Sequence, residues 1–549
     1  MSYLGAQNSI ALGVQGLIHI DTGGGAGGSA GYSVNKSLRF RSSASAYLGR
    51  TPSVTGSQTT WTWSGWFKRG ALGFEQEFLA GGTNGTVGWN RTTLGILSSD
   101  KLYFGNQAAN FRITTQVFRD PSAWYHLIAV FDSSNATDAD RIRLYINGTQ
   151  VTAFDTNASV PINTASAINS TTTHQIGWIA GGGGALFFDG EMAEVNFVDG
   201  QALAPTSFGA FSTYNQWLPK AYTGTYGTNG FYLPFTNTTS TSTLVADSSP
   251  NGNNWTPNNI SLTAGSTYDS LTDVPTLTSA TVANYPVWNI LRPSQMSGGT
   301  ATISNGNLTA ADAATSSGIA AQANVAVSSG KWYWEVTATT VGGLLGGCGI
   351  RLETLQDVFG LGYFYYSDGN KTTNINGGGL AYGASYTSGN VLGVALDLTA
   401  GTLEFYKNNV SQGIAYTGLS GLFSACVGDG QNATRYEWNI NFGQQPFVYT
   451  PPSGFVALNT YNIAAGTVTT SGTFTGNLST DGPMVYLNGT PTAMTINGNA
   501  VTFGTQADKL ANGFKVRSSS ASYNTAGSNT YVATTVGAVF KYEDAQSNP

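Results

Sequence analysis

Polar and apolar residues alternate along this chain with a period of two, and a helical period is nowhere sustained over ten residues. In TWTWSGWFKRG at 60–70, Trp61, Trp63 and Gly65 fall on one face of an extended strand, while Thr62, Ser64 and Trp66 take the other. SLRFR, AYLGR, EFLAGG, KLYFGN, HQIGWIA and FFDGEMAEVNFVDG read as further short strands in the first half, separated by Gly and Asn turns. In the second half KWYWEVTATT, GCGIRL and YEWNINFGQQPF read the same way.

Two places carry one and the same three-part signal. WYHLIAVFD at 124–132 ends in Asp and is followed by RIRLYINGTQV, and VLGVALD at 391–397 ends in Asp and is followed by GTLEFYKNNVSQG. Each second stretch closes on Asn-Gly or Asn-Asn and resumes as strand, the mark of a two-residue hairpin with positive φ at both turn positions. Such a hairpin behind an alternating strand, once in each half, predicts two antiparallel sandwiches whose apolar faces meet across roughly 10 Å. The fold class is therefore all-β, with tandem antiparallel β-sandwiches. Five segments follow: a flexible leader at 1–35, a sandwich at 36–235, a Ser/Thr/Asn-rich connector at 236–324, a second sandwich at 325–454, and a small C-terminal β module at 455–549. The leader holds SIALGVQGLIHI and then TGGGAGGSAG, a flexible spacer that suits either an anchoring peptide or a plain disordered tail. TISNGNLTA in the connector is expected to open the second sandwich as one strand.

Composition sharpens this picture. At 549 residues the chain exceeds what one core serves. Only 9% of residues are charged, but 12% are aromatic, which argues against disorder. The net charge of −6 is spread thinly without a Lys/Arg run, so no nucleic-acid or anionic-membrane surface is expected. No apolar run approaches the roughly 18 residues of a membrane span, and no basic region precedes the first apolar residues as in a secretory signal. The two cysteines, Cys348 and Cys426, read as buried thiols, with a bridge open if their strands are neighbours.

Candidate chemistry is sparse. His19, His126 and His174 stand at no metal-ligand spacing, and GLLGGCG at 343–349 lacks the Lys-Ser/Thr of a phosphate loop. Asp189 with Glu191, or Glu191 with Glu194, are the carboxylate pairs a glycosidase would hold roughly 5 to 9 Å apart, and Asp189 and Glu191 are expected to point outward. Gly190 and Met192 between and beside them speak against a dedicated dyad. No catalytic residue and no cofactor is expected, and loop-tip carboxylates Asp132, Asp189 and Asp199 are the candidates for one structural calcium. What remains is non-covalent surface binding by aromatic and carboxamide side chains on sandwich loops. The candidates are Trp89, Asn90 and Arg91 in the first sandwich and Tyr363, Tyr365 and Tyr366 in the second, with core packing the rival role for each aromatic.

TWTWSGWFKRG, TQVFRDPSAWYHLIAVFD, RIRLYINGTQV and FFDGEMAEVNFVDGQAL resemble the concanavalin A-like, laminin-G-type domain of tailed-phage structural proteins. SSGKWYWEVTATT, VLGVALDLTAGTLEFYKNNVSQG and NINFGQQPF resemble the SPRY domain that often follows it, and KLANGFKVRSSSASYNTAGSNTYVATTV resembles a terminal module of such chains. The resemblance implies a concanavalin A-like or jelly-roll sandwich, then a SPRY-like one. It implies a phage virion component, such as a tail fibre, spike or head fibre, anchored by its leader and presenting its sandwiches to a host-surface glycan or protein without catalysis. Its implied partners are other virion proteins and further copies of itself in a homo-oligomer, often a trimer in such proteins, with no nucleic acid and no membrane insertion. The alternatives are a purely structural capsid or tail decoration and, behind it, a carbohydrate-active enzyme.

Overall fold

The computed structural model describes residues 32–84, 89–106, 109–179, 186–212, 215–291, 294–295, 301–312, 319–343, 346–352, 361–374, 378–429, 435–465, 467–476, 484–486, 491–503, 505–510, 513–516, 522–523, 527–536 and 540–542. The leader lies outside them up to residue 31, and its last residues are packed: Val34 is buried against Trp66, Trp124 and Trp217.

Two eight-stranded sheets form the first sandwich. Sheet 1 runs in space through Thr149–Gln150, Ile142–Ile146, Tyr125–Asp132, Thr60–Arg69, Gly190–Asp199, Ser37–Phe40 and Ser270–Leu271, with Phe231–Leu233 also on Gly190–Asp199. Sheet 2 runs through Phe154–Asn157, Ala109–Val117, Lys101–Asn106, Trp89–Ile96, Gln76–Asn84, His174–Ile176, Tyr47–Arg50 and Thr256–Asn258. Trp61, Trp63 and Phe67 of Thr60–Arg69 point between the sheets and are wholly buried. Gly65 lies on that same face because the Trp63 ring takes its place: a Cβ there would sit 2.6 Å from Cη2. The opposite face, with Thr62, Ser64, Trp66 and Lys68, is also buried, because later chain segments fold across it.

The second sandwich repeats the plan. Sheet 3 runs through Ser294–Gln295, Ile319–Val327, Phe423–Asp429, Gly346–Leu352, Leu361–Tyr366, Asn370–Asn374 and Leu380–Ala381. Sheet 4 runs through Thr302–Ser304, Thr309–Ala311, Glu437–Asn441, Lys331–Thr340, Val391–Asp397, Thr402–Lys407 and Val410–Tyr416. Trp332, Trp334, Trp438, Phe405 and Leu396 fill its core. TISNGNLTA is a hairpin, not one strand: Thr302–Ser304 pairs with Thr309–Ala311 around a turn in which Asn305, Gly306 and Asn307 all have positive φ. The connector is therefore shared out, with Thr256–Asn258 and Ser270–Leu271 closing edges of the first sandwich and residues from Trp288 onward belonging to the second. Strands of two or three residues carry no alternation, which is why this stretch reads as linker.

Both predicted hairpins have the expected backbone, with φ of 48° and 77° at Asn147 and Gly148, and of 46° and 68° at Asn408 and Asn409. Gly346–Leu352 and Phe423–Asp429 are neighbours, but Cys348 faces Val427 and Cys426 faces Gly349. That offset of one residue sends the thiols to opposite faces of sheet 3, and both are free and buried. In the C-terminal segment a four-stranded and a three-stranded sheet share a small core of Met494, Ile496, Ala507, Val516 and Tyr531. Among the described residues no helix is long and apolar enough to cross a membrane.

Candidate functional site

The residues singled out from sequence divide sharply. Asn90 is exposed and Arg91 half-buried on Trp89–Ile96, and the side chain of Trp89 lies outside the described residues. Tyr363 is half-buried, edge-on to Tyr416 at 5.0 Å. Tyr365 and Tyr366 have no exposed surface, which corrects their assignment as surface-binding residues. They sit on an inner strand of sheet 3. Tyr365 points into the core against Phe405 and Tyr386, and Tyr366 packs on the other face with Phe364 and Cys426. Their hydroxyls are spent on the carbonyls of Ala384 and Asn374.

The carboxylates considered for hydrolysis or calcium are also engaged elsewhere. Asp189 and Glu191 do not point outward as expected; both are buried where the two sandwiches meet. Asp189 accepts from Ser42 Oγ at 2.7 Å and from the backbone N–H of Gly306, in the turn of the second sandwich's first hairpin, at 2.7 Å. Glu191 lies under the same turn, and burial, with Asp273 and Asp189 nearby, raises its pKa well above the usual carboxylate range. Asp199 accepts from Ser57 N and Asn169 Nδ2 through Oδ1, and from Asn229 N through Oδ2. Asp132 is held by Ser134 and Asn135. Among the described residues no three His, Cys, Asp or Glu side chains converge as a metal ion needs.

Charge is concentrated at that same junction. Arg39 in the strand Ser37–Phe40 and Arg41 just past its end both reach Asp269 through Nε, at 3.1 and 2.8 Å. Lys68 Nζ bonds Asp273 Oδ2 at 2.7 Å, Asn284 Oδ1 at 2.8 Å and the Tyr285 carbonyl at 2.9 Å. Across the junction Thr272 N donates to Gln444 O at 2.9 Å, Gln445 Nε2 to Tyr268 O at 2.9 Å, and Asn307 Nδ2 to Arg69 O at 3.2 Å. Buried ions paired on several sides in this way fix one geometry, since any other leaves a desolvated charge unpaired. The two sandwiches are welded by polar contacts rather than tethered.

Beside this weld, on the outer face of sheet 1, lies a small cleft with room for about one water molecule. Three indoles, Trp66, Trp124 and Trp217, and three carboxamides, Asn147, Gln216 and Asn284, line it. The indoles are fixed from behind. Trp66 stacks on His126 with ring centroids 4.6 Å apart and planes 1° apart. Trp217 Nε1 donates to His126 Nδ1 at 2.8 Å, so the imidazole carries its proton on Nε2, 2.8 Å from Ser64 Oγ. Burial pushes the His126 pKa down to about 3, which keeps the ring neutral. Trp217 is also gripped between Gly148 and Gly209, where a Cβ would come within 2.3 and 2.2 Å of its ring. Trp124 Nε1 donates to Asp273 Oδ1 at 2.9 Å. Trp66 and Trp124 are legible in the sequence as strand aromatics, but Gln216, Trp217 and Asn284 lie in segments whose pattern predicts no element. The only sequence signal for them is an isolated Trp in a turn-rich stretch.

A strained carboxylate stands nearby. Glu194 occupies a bulge in Gly190–Asp199 with φ of 52°, an uncommon value for a residue with a side chain. Its carboxylate takes the Tyr32 hydroxyl at 2.6 Å and the Tyr232 hydroxyl at 2.9 Å, and burial pushes its pKa up to about 7.

Comparison with known proteins fits this architecture. Residues 40–207 match the model of the concanavalin A-like lectin/glucanases superfamily, and residues 331–445 match the SPRY domain. The chain is 32% identical over 148 residues to an E3 ubiquitin-protein ligase, RKP, of Arabidopsis thaliana, which covers 25% of this chain and 11% of that protein. It is 31% identical over 126 residues to Ran-binding protein 10 of Danio rerio, covering 22% of this chain and 20% of that protein. The match therefore spans a fifth or less of either relative. The crystal structure of the SPRY domain of human HERC1 aligns over 26% of this chain and 91% of that one, at 18% identity and a TM-score of 0.22. This chain carries a concanavalin A-like, laminin-G-type domain followed by a SPRY domain.

Proposed function

We propose that this chain is a non-catalytic recognition protein, a virion fibre or spike component that attaches to host-surface glycan or protein through its two sandwiches. The observation that carries the recognition part is the weld. Arg39, Arg41, Lys68, Asp269 and Asp273 are consumed in buried pairs that fix the connecting segment on the first sandwich, and Asp189, Thr272 and Gln445 bond across to hold the second in one orientation. Rigid presentation of two surfaces suits binding, because little conformational freedom is left to lose on contact. The particle setting rests on the resemblance of the sequence blocks at 60–70, 115–132, 141–151, 187–203, 222–235, 247–265, 328–340, 391–413, 439–447 and 509–536 alone. The named relatives are plant and animal proteins, and they favour the SPRY half as the one that meets a protein.

The test is adhesion by the full chain. Purified protein is expected to bind intact cells of a susceptible host saturably and without altering surface polysaccharide. Absence of binding to any host, with the chain located by cryo-EM flat against a shell or tube, would replace adhesion by decoration. Release of sugar fragments on incubation would replace recognition by catalysis.

A further inference from the structure

Lys68 meets the groups that a side-chain amide bond requires. It is the only lysine buried among the described side chains, and it stands on Thr60–Arg69, an inner strand of sheet 1. Its Nζ bonds Asp273 Oδ2 at 2.7 Å, Asn284 Oδ1 at 2.8 Å and the Tyr285 carbonyl at 2.9 Å, so each of its N–H groups has one acceptor. A carbonyl bond is about 1.2 Å long, so Asn284 Cγ stands roughly 3 to 4 Å from Nζ, and a near-attack pair needs about 3–3.5 Å. An amine, a carboxamide and a carboxylate able to take a proton therefore converge in one place. Burial raises the pKa of Asp273, which Trp124 Nε1 also holds in position at 2.9 Å. Burial also keeps Glu191, opposite Lys68 in the sheet register, protonated. A desolvated ion pair of this kind becomes neutral by passing one proton from Nζ to the carboxylate, and the free amine is the nucleophile.

We propose that Lys68 and Asn284 condense to a side-chain isopeptide bond, with Asp273 carrying the proton. Asp273 takes a proton from Nζ, the amine turns about Cε–Nζ, and its lone pair attacks Asn284 Cγ. Asp273 passes its proton to Asn284 Nδ2 and takes a second one from the attacking nitrogen. The Cγ–Nδ2 bond breaks and ammonia departs, leaving one amide N–H and a neutral Asp273 carboxyl. No oxidant or cofactor is consumed. The product replaces a buried ion pair with two neutral groups, which removes the cost of keeping those charges out of water. The cleft that Asn284 lines has room for about one water-sized molecule, and ammonia is of that size. The bond would do more than tie the first sandwich to its own connector. Asn284 N donates to Thr460 Oγ1 at 3.2 Å and Thr460 N to Asn284 O at 3.0 Å, so the anchored residue is the one that also grips the segment following the second sandwich. Lys68 and Asn284 are 216 positions apart, and a cross-link over so long a loop restricts the unfolded chain strongly. The proposal stands whether or not the chain adheres to a cell.

Mass spectrometry of the full chain, folded and then denatured, tests it. The expected mass is lower than that of the sequence by one ammonia, and a protease digest should contain a branched peptide joining Lys68 to Asn284. Lys68→Arg keeps the positive charge but is expected to show its full sequence mass. Asp273→Asn should slow bond formation by roughly 100-fold or more, and thermal melts establish that each variant folds. If neither variant folds, the mass and digest of the unaltered chain still decide. Lys68 and Asn284 recovered in separate peptides from the folded chain would overturn the proposal. Loss of ammonia that maps to a succinimide at any asparagine, without a branched peptide, would overturn it equally. A bond that forms undiminished in folded Asp273→Asn would overturn the proton-carrying role of Asp273.

Discussion

The two sandwiches announce themselves by the same sequence device, an Asn-led hairpin behind a strand ending in Asp, yet the molecule treats the two hairpins in opposite ways. The turn at Asn147–Gly148 is roofed by Trp217, which lies on the spot a Cβ would need at Gly148. The turn at Asn408–Asn409 is open to solvent, and the strand after it leaves Val410 and Ile414 64% and 55% exposed. The same contrast holds for charge. Lys68 and Asp273 have side chains 0% and 1% exposed, whereas Lys331, paired with Asp397 in the second sandwich, is 44% exposed. One sandwich is wrapped by its own connecting segments, and the other keeps an outer edge bare. Local pattern sets the hairpin; what later covers it sets what each residue there is worth.

Valine at the second position of each turn breaks that comparison most strongly. Gly148→Val meets both a positive φ that a β-branched residue resists, about 1–3 kcal/mol, and a collision with the Trp217 ring, a further ~1–3 kcal/mol. Asn409→Val meets the backbone strain alone. A thermal or urea melt should show the first variant losing about 4 kcal/mol and the second about half that. Equal losses would mean that Trp217 yields and the roof is loose.

Lysine removal comes next. Lys68→Ala leaves Asp273 buried without its cation and should cost about 3–5 kcal/mol. Lys331→Ala should cost no more than ~1 kcal/mol, because solvent already screens that pair. The same melts decide it, and similar losses would deny that burial makes the Lys68–Asp273 pair worth more than the exposed one.

pH separates the sandwiches more finely. Burial raises Glu194 in the first and Asp429 in the second to about 7 each. With unfolded values near ~4, each group's contribution is complete below that value and is lost as pH rises through about 7. His126 and His174, depressed to about 3 and about 4, work the other way in the first sandwich only, losing stability as pH falls below ~6.5. Between pH 6.5 and 8 the histidines are neutral folded and unfolded, so stability should fall with rising pH. Glu194→Gln and Asp429→Asn should each flatten that fall. Melting temperatures that do not change across this window, or that rise, would contradict the buried, protonated state of these acids.

Much of the fold is legible in the residues, and the site is much less so. Trp61, Trp63 and Gly65 share a face by alternation alone, and the Asn-Gly and Asn-Asn turns predict their own φ. Thr256–Asn258 and Ser270–Leu271 escape notice because two or three residues cannot show a period, and only an existing edge makes them strands. Tyr365 and Tyr366 mislead because a polar hydroxyl suggests a surface, while a backbone carbonyl within the fold satisfies it equally well. Asp189 and Glu191 mislead in the same direction: outward from the sandwich core proved to be inward to the junction. The cleft draws on residues from positions 66 to 284, and contacts across such separations leave no local pattern.

The smallest effect sharpens the comparison from its bare side. Val410→Ser and Ile414→Ser on the strand Val410–Tyr416 remove apolar surface that is already mostly in water, so each should change stability by no more than about 0.5 kcal/mol. This strand is an edge of sheet 4, yet its backbone is partly occupied from sheet 3: the Tyr382 hydroxyl reaches Gly413 O and Lys371 Nζ reaches Ala415 O. That cover guards against open-ended strand addition while leaving the aliphatic side chains outside it. A surface used for recognition should therefore lose host-cell binding on Val410→Ser/Ile414→Ser while its melting curve stays in place. A double variant that melts several degrees lower would instead show these side chains to be packed in solution, and the second sandwich to be as wrapped as the first.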